Sequence, residues 1–409
     1  MTQSLSHVTV LDLSRILAGP WAGQLLADLG AEVIKIERPG TGDDTRAFGP
    51  PFVRNAAGAE DAGADAVYYL CANRNKKSVT LDISTPDGQR IVRELASTSD
   101  IVLENFKAGG LKAYGLDYES LRAINPRLIY CSITGFGQTG PYAARAGYDF
   151  LIQGMGGLMS ITGRGADEPG AGPQKAGVAL ADILTGLYAT VGVLAALNHR
   201  ERTGVGQYID VSLLDVQVAC LANQALNYLN TGRVPERLGN AHPNIVPYQD
   251  FPTSDGYMII AVGNDAQFAR LCTVAGLPDL AADPRFSSNK QRVENRAALI
   301  ERLCAATRLR PTARWIADLE RVGVPCGPIN SIDAVFADPQ VQARGMKVDL
   351  PHPIAGEVSL VANPLRLSET PVSYRSAPPL LGADTHEVLA RKLGLSEADI
   401  GALAAKKII

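Results

Sequence analysis

HVTVLDLSRILAGPWAGQLLADLGAEVIKIE, residues His7–Glu37, changes its hydrophobic period twice. His7 to Leu13 is short and β-branched, which suits a strand. Trp21 to Gly30 carries apolar residues at helical spacing and closes on Gly30, a residue type that tolerates the backbone of a helix end. Glu32 to Glu37, EVIKIE, reads as the next strand. Strand, helix, strand within so few residues is the unit from which parallel sheets are built. The alternation continues outward. Ser78 to Asp82 reads as a strand, and Thr85–Pro86 opens a helix that runs to Ser97, with proline where the first turn favours it. Asp100 to Glu104 and Leu128 to Ser132 are further strands. The pattern predicts an α/β fold with a mostly parallel, doubly wound sheet.

The character changes after Ile209 to Leu229, which reads as a long helical connection. From about Tyr248 to Gly323, short strands such as Tyr257–Val262 mix with amphipathic helices such as Gln291–Arg308. We therefore expect residues 1–200 to form a large domain, 201–230 a helical linker, 231–323 a small domain, and 324–409 a return segment that completes the large one. Arg46 to Asp65, rich in alanine and glycine, reads as a surface insertion.

Bulk properties exclude several functions. A chain of 409 residues is too long for one ordinary core. A net charge of −3 argues against a nucleic-acid protein. Six scattered cysteines and five histidines form no metal-ligand spacing, so no metal site is expected. Isolated cysteines suit a reducing, cytoplasmic setting. One nearly uncharged stretch, Ala176 to Leu197, raises the question of a membrane span; a buried core helix is the expectation.

Candidate site residues cluster where strands end. Ligands of open α/β sheets sit beyond the carboxyl ends of the strands. The turns there are Arg15–Gly19, Glu37–Gly42, Glu104–Gly110 and Thr134–Gly140. Their cations Arg15, Arg38 and Lys107, and their glycine-rich amides, suit phosphates, although surface loops often share this composition. Neither GxxxxGK[ST] nor GxGxxG occurs at a strand–helix junction, and GxSxG is missing. Asp182 is the anomaly. It is the only charge between Lys175 and Arg200. A lone carboxylate in apolar surroundings is costly unless partnered. It is either a helix cap or ion-pair member, or a nucleophile. Asp149, in AGYDF, is a second carboxylate, read either as a surface helix-start residue or as part of a site with Tyr148 donating to it. His242 and Gly263–Asp265 look like loop residues near a site.

Longer motifs carry a resemblance. VLDLSRILAGPWAGQLLADLGAEVIKIERPGTGD, NRNKKSVTLD, DIVLENFKAGGLKAYGLDYESL, SITGFGQTGPYAARAGYDF, AGVALADILTGLYA, LAALNHRERTGVGQYIDVSLLD and VPCGPINSIDAVFADPQVQARGM together resemble the class III CoA-transferases across nearly the whole chain. That family includes carnitine and formyl-CoA transferases and dicarboxylate CoA-transferases. The resemblance implies an interlocked homodimer, each subunit having a Rossmann-like large domain and a smaller α+β domain. It implies a coenzyme A thioester as substrate, with no permanently bound cofactor and neither nucleic acid nor membrane as partner. Asp182 matches the family's catalytic aspartate. Ala18, Arg38, Leu81, Asp82, Ile83, Ser84, Asn105, Phe106, Lys107, Ala146, Gly147, Tyr148 and Asp149 match its CoA-binding positions. Leu17, which stands where formyl-CoA transferase has glutamine, is expected with them in the CoA site. A family arginine falls on Ala113, with Lys112 beside it as a substitute. The amides near Leu17 and Ala18, or the loop of Gly263 and Asn264, are the expected oxyanion donors.

The closest motifs point to transferases for C4–C5 dicarboxylates, with succinyl-CoA as donor. Arg15 or Arg46 is then expected to meet the second carboxylate. Two other readings compete. An α-methylacyl-CoA racemase would carry histidine where this chain has Tyr148, and a phenol that ionises near 10 serves poorly as a base. A non-catalytic CoA-binding protein would have no use for Asp182.

Overall fold

The computed structural model describes residues 3–59 and 64–409. Contacts divide the chain into two units. One comprises residues 1–158, 176–225 and 340–409, and the other 159–175 and 226–339.

The first unit is built on six parallel strands: β1 (Thr9–Asp12), β2 (Glu32–Glu37), β3 (Lys76–Thr80), β4 (Ile101–Glu104), β5 (Ile129–Thr134) and β6 (Tyr208–Ser212). Their spatial order is β3-β2-β1-β4-β5-β6, the order of dinucleotide-binding sheets. One apolar layer gathers Val10, Val33, Ile101 and Ile133 with the helices Ala18–Asp28 and Leu180–Thr203. The opposite layer joins Leu11, Ile34, Val102 and Tyr130 to the helices Pro86–Ser97, Thr385–Leu393 and Glu397–Ala405. Alternate residues of each strand thus serve opposite layers, as the pleat requires. The second unit has a three-stranded antiparallel sheet, Tyr248–Pro252, Tyr257–Ala261 and Cys326–Pro328, around a core that includes Trp315, Phe251 and Phe268.

Three expectations need correction. Residues 208–212, read as helical, form the edge strand β6, and helices occupy Leu213–Ala219 and Ala222–Thr231 instead. In the structure Tyr208 and Asp210 are exposed while Ile209 and Val211 are partly buried, an alternation too short to stand out in the sequence beside flanking helices. The Gln291–Arg308 helix is broken at Asn295, whose side chain donates to the Gln291 carbonyl and competes with the helical backbone. The 46–65 stretch is not a loose insertion at its ends, because Arg46 is buried in an ion pair and Val53 is in a core; its residues 60–63 lie outside the described residues. A smaller shift concerns the first helix, which starts at Ala18 rather than Trp21. Gly19 and Pro20 disguised its opening, where proline's missing N–H does no harm.

The 180–203 helix has the length and apolar character to cross a membrane. It is buried on one face only: Ala181, Thr185, Ala189, Val193, Ala196 and Arg200 turn to the core, while Leu187, Tyr188, Val191 and Leu194 are exposed. Gly186 sits where this helix crosses the first. A Cβ there would lie 2.7 Å from the Ala18 carbonyl oxygen and 3.0 Å from the Trp21 Cβ.

That crossing yields a prediction. Gly186→Ala should lower stability by about 1–3 kcal/mol, the usual cost of overpacking. Gly401→Ala, with nothing near its added carbon, should be neutral or stabilising. Thermal unfolding of the two variants checks this; equal melting temperatures would contradict the tight crossing.

Candidate active site

The sheet reverses its winding between β1 and β4, so a crevice opens beyond their carboxyl ends. The chain leaving β1 passes through Ile16 at φ 71°, the left-handed region, where a β-branched residue is a genuine outlier. Such a conformation costs about 1–2 kcal/mol and persists only if its surroundings impose it. Several side chains do so. Asn105 accepts from the Arg15 N–H at 3.0 Å and donates to the Arg15 carbonyl at 2.6 Å, bridging the crevice. Asp43 accepts from the Ile16 N–H at 3.1 Å. Lys35 donates to the Ser14 carbonyl at 2.7 Å. Asp12 accepts from both the N–H and the hydroxyl of Ser14.

These clamps are charges buried inside the sheet. Lys35 pairs with Asp43 at 2.8 Å and Lys76 with Asp12 at 3.0 Å, all four out of solvent. Burial alone would raise the Asp43 carboxyl, but the Lys35 ammonium outweighs it and holds the group at about 2. Burial is the stronger influence on Lys76, which is lowered to about 8 despite Asp12.

The clamped loop delivers Leu17 and Ala18 to the start of the first helix. Leu17 occupies the cap position without a capping side chain. A helix begins with donors that have no partner inside it, and this one leaves them at the wall of a cavity of about 400 Å³. The same wall carries Arg15, Asn105, Phe106, Lys107, Ala146, Gly147, Tyr148 and Asp182. The 146–148 loop is seated there by a backbone-to-backbone approach: a Cβ on Gly135 would lie 2.6 Å from the Gly147 Cα, so neither position admits a side chain.

Asp182 stands in the first turn of the 180–203 helix. Burial, and secondarily the Asp149 carboxylate, push its carboxyl up to about 7. Asp149 is not on the cavity wall. Its Oδ1 accepts from the Ala181 N–H at 2.8 Å and the Asp182 N–H at 3.4 Å, and its Oδ2 from Gln153 Nε2 at 2.7 Å. Asp149 therefore anchors the start of the helix that carries Asp182, without help from Tyr148, whose side chain is exposed. Asp149 thus spends both oxygens on donors, while burial is the main influence on Asp182.

A larger cleft, of about 990 Å³, shares Arg15, Asp44 and Phe106 with the first cavity. Arg38, Leu81, Asp82, Ile83 and Ser84 line it, so the expected CoA residues fall on two adjoining walls. Lys112 lines a further cavity of about 270 Å³, which shares Lys107 and Gly110 with the first. Arg46 is unsuited to meet a substrate: it is buried against Glu37 and Asp65 at 2.7 and 2.6 Å. Arg15, by contrast, is half-exposed and paired with Asp44 at 3.1 Å. Gly263 and Asn264 belong to the second unit, where the Gly263 N–H donates to Gln267 Oε1 at 2.7 Å and Asn264 caps the following helix. No cluster of three metal-ligating side chains occurs among the described residues.

Sequence reading missed the clamp. Lys35 and Asp12 were visible as charges in strand-like runs, a signal that they must be paired if the strands are buried. Nothing in the sequence marked Ile16, since its conformation is imposed by residues far along the chain. Gln153 was also missed; it is buried and holds both Asp149 and the Ala176 N–H.

Residues 5–385 match CoA-transferase family III. A succinate–glutarate CoA-transferase of Agrobacterium fabrum is 54% identical over 386 residues, covering 94% of this chain and 95% of that protein. The human succinyl-CoA:glutarate CoA-transferase is 44% identical over 405 residues, covering 99% and 90%. The crystal structure of a CAIB/BAIF family protein from Brucella suis superposes with a TM-score of 0.83 at 51% identity, covering 96% of this chain and 100% of that one.

The raised carboxyl of Asp182 makes a stability prediction. An aspartate titrates near 4 in an unfolded chain and this one near 7 when folded. Its contribution to stability is therefore fully present below pH about 4 and is lost as pH rises to 7. Asp182→Asn should melt several degrees above the parent at pH 8, with the gap narrowing toward pH 5. An equal gap at both pH values would contradict the burial of a charged Asp182.

Proposed function

The chain belongs to CoA-transferase family III and is a CoA-transferase, and on that premise we propose that it moves coenzyme A from succinyl-CoA to a five-carbon dicarboxylate, glutarate, with Asp182 as the carrier. The observation that supports this most is the half-buried Asp182 carboxylate, raised to about 7, on the cavity wall that also carries the start of the first helix. The relatives from Agrobacterium fabrum and human named above support the two acids.

The chemistry uses this chain's own groups. The Asp182 carboxylate attacks the thioester carbonyl, the C–S bond breaks, and CoA leaves as thiolate, giving a mixed anhydride. The thiolate attacks the Asp182 carbonyl and expels succinate, leaving an aspartyl-CoA thioester. Glutarate attacks that thioester, forming a second anhydride and freeing the thiolate again. The thiolate then takes the glutaryl carbonyl, and Asp182 is regenerated. One carboxylic acid replaces another on one thiol, so neither ATP nor a permanently bound cofactor enters the balance. A carboxylate with raised basicity is a better nucleophile and is still largely ionised above neutrality. Each tetrahedral intermediate carries an oxyanion, and a single donor to it is worth about 3–4 kcal/mol. The amides of Leu17 and Ala18 suit that role. Arg15 suits the distal carboxylate, exchanging Asp44 for substrate.

The CoA thioester is read into the two adjoining cavities, with Arg38 and the 81–84 turn at the nucleotide end and Asn105–Lys107 and 146–148 along the arm. We read the assembly as a homodimer. Leu187, Tyr188, Val191 and Leu194 form an apolar stripe on the 180–203 helix, with Phe150 and Leu151 also exposed, and a second copy would cover such a face. Six unpaired cysteines suit a cytoplasmic protein.

The test is incubation with succinyl-CoA and a panel of acids, following the CoA esters by mass spectrometry. Glutaryl-CoA should form without ATP, Asp182→Ala should abolish it, and Arg15→Ala should erase the preference for glutarate over butyrate. Racemisation of a 2-methylacyl-CoA, with no transfer to any acid, would overturn the reading.

A further inference from the structure

The segment that follows the helix Glu397–Ala405 breaks a local rule. Lys407 has φ 57°. Its N–H donates to the Ala404 carbonyl at 2.9 Å, and the Ile408 N–H to that of Leu403 at 3.0 Å. This is the Schellman ending, whose left-handed position is normally glycine. A lysine pays there for a backbone that glycine adopts freely. The strain is held from both sides. Ile408 is buried in the same apolar cluster as Leu403, and its carbonyl accepts from the Asp82 N–H at 2.8 Å. Lys407 is thus fixed beside the Asp82–Ser84 turn, and it lines the larger cleft with Arg38.

The charges of that cleft show what Lys407 is free to do. Of the four acidic side chains that line it, three are already answered: Glu37 by Arg46 at 2.7 Å, Asp43 by Lys35 at 2.8 Å and Asp44 by Arg15 at 3.1 Å. The fourth, Asp82, accepts from the Ser84 N–H and hydroxyl at 3.0 and 2.6 Å. The neighbouring Lys406 is paired with Asp87 at 3.2 Å. Among the described residues lining the cleft, Arg38 and Lys407 are the cations with no carboxylate partner. Lys112 lines neither this cleft nor the first cavity.

We propose that Lys407 binds a phosphate at the adenosine end of the CoA substrate, the 406–409 segment adding a second cation beside Arg38 in the larger cleft. The inference rests on the CoA-transferase reading and deepens it. An ammonium on a flexible stem suits a phosphate as a point charge, and the fixed backbone sets where that stem begins.

The test compares Lys407→Gly, Lys407→Arg and the parent. Calorimetry gives the affinity for free CoA, and turnover is measured with succinyl-CoA and with succinyl-pantetheine, which lacks the adenosine phosphates. Loss of one charge-assisted contact should weaken CoA binding and raise the KM for succinyl-CoA roughly tenfold, with kcat little changed. Lys407→Gly should melt no lower than the parent, since glycine suits the position. Lys407→Arg should retain most of the affinity. With succinyl-pantetheine the parent and Lys407→Gly should be alike. Unchanged CoA affinity in Lys407→Gly, or an equal loss with succinyl-pantetheine, would overturn the proposal while leaving the CoA-transferase reading intact. A parent that binds no CoA would instead remove that reading.

Discussion

A lysine in the middle of a buried parallel strand must meet a carboxylate, and the site depends on how Lys35 does so. Its ammonium reaches Asp43 at 2.8 Å and the Ser14 carbonyl at 2.7 Å. Asp43 in turn accepts the Ile16 N–H, so a charge inside the sheet fixes a left-handed residue outside it. Removing one partner of such a pair typically costs about 3–5 kcal/mol, because the other charge is left buried alone. That penalty keeps the loop after β1 in its unfavourable shape. The consequence for chemistry is local: the amides of Leu17 and Ala18 end up on the cavity wall that carries Asp182.

The two aspartates at the start of the 180–203 helix divide the work. Asp149 takes the helix amides and the Gln153 side chain, which satisfies it. Asp182, in the first turn of that helix and with burial as its main influence, has its carboxyl raised to about 7. The fold therefore gives up stability at neutral pH to hold a carboxylate of raised basicity at the cavity wall. The close crossing at Gly186 brings that carboxylate's helix against the first one, where the free amides begin.

Much of this was legible in the chain itself. Strand-helix alternation from His7 to Ser132 predicted the parallel sheet, since period and turn residues agree there with the final packing. Asp182 was visible as a lone charge in an apolar run. What stayed hidden was set by long-range contacts. The edge strand 208–212 pairs with a partner some eighty residues earlier, and its own five residues are too few to declare a period against flanking helices. Asp149 looked like the more conspicuous site residue, yet its carboxylate faces the amides of residues 181 and 182. Arg46 looked free to meet a substrate, and only its burial against Glu37 removes it. Motif resemblance supplied the candidate residues, while their local contacts needed coordinates.

The central claim is that Asp182 carries the acyl group and then the CoA. Incubation with succinyl-CoA alone, acid quench and peptide mass spectrometry tests it most directly. The account predicts a CoA adduct, labile to hydroxylamine, on the peptide that contains Asp182 and on no other. An adduct on the Asp149 peptide, or rapid transfer to glutarate with no adduct formed at any time, would contradict it.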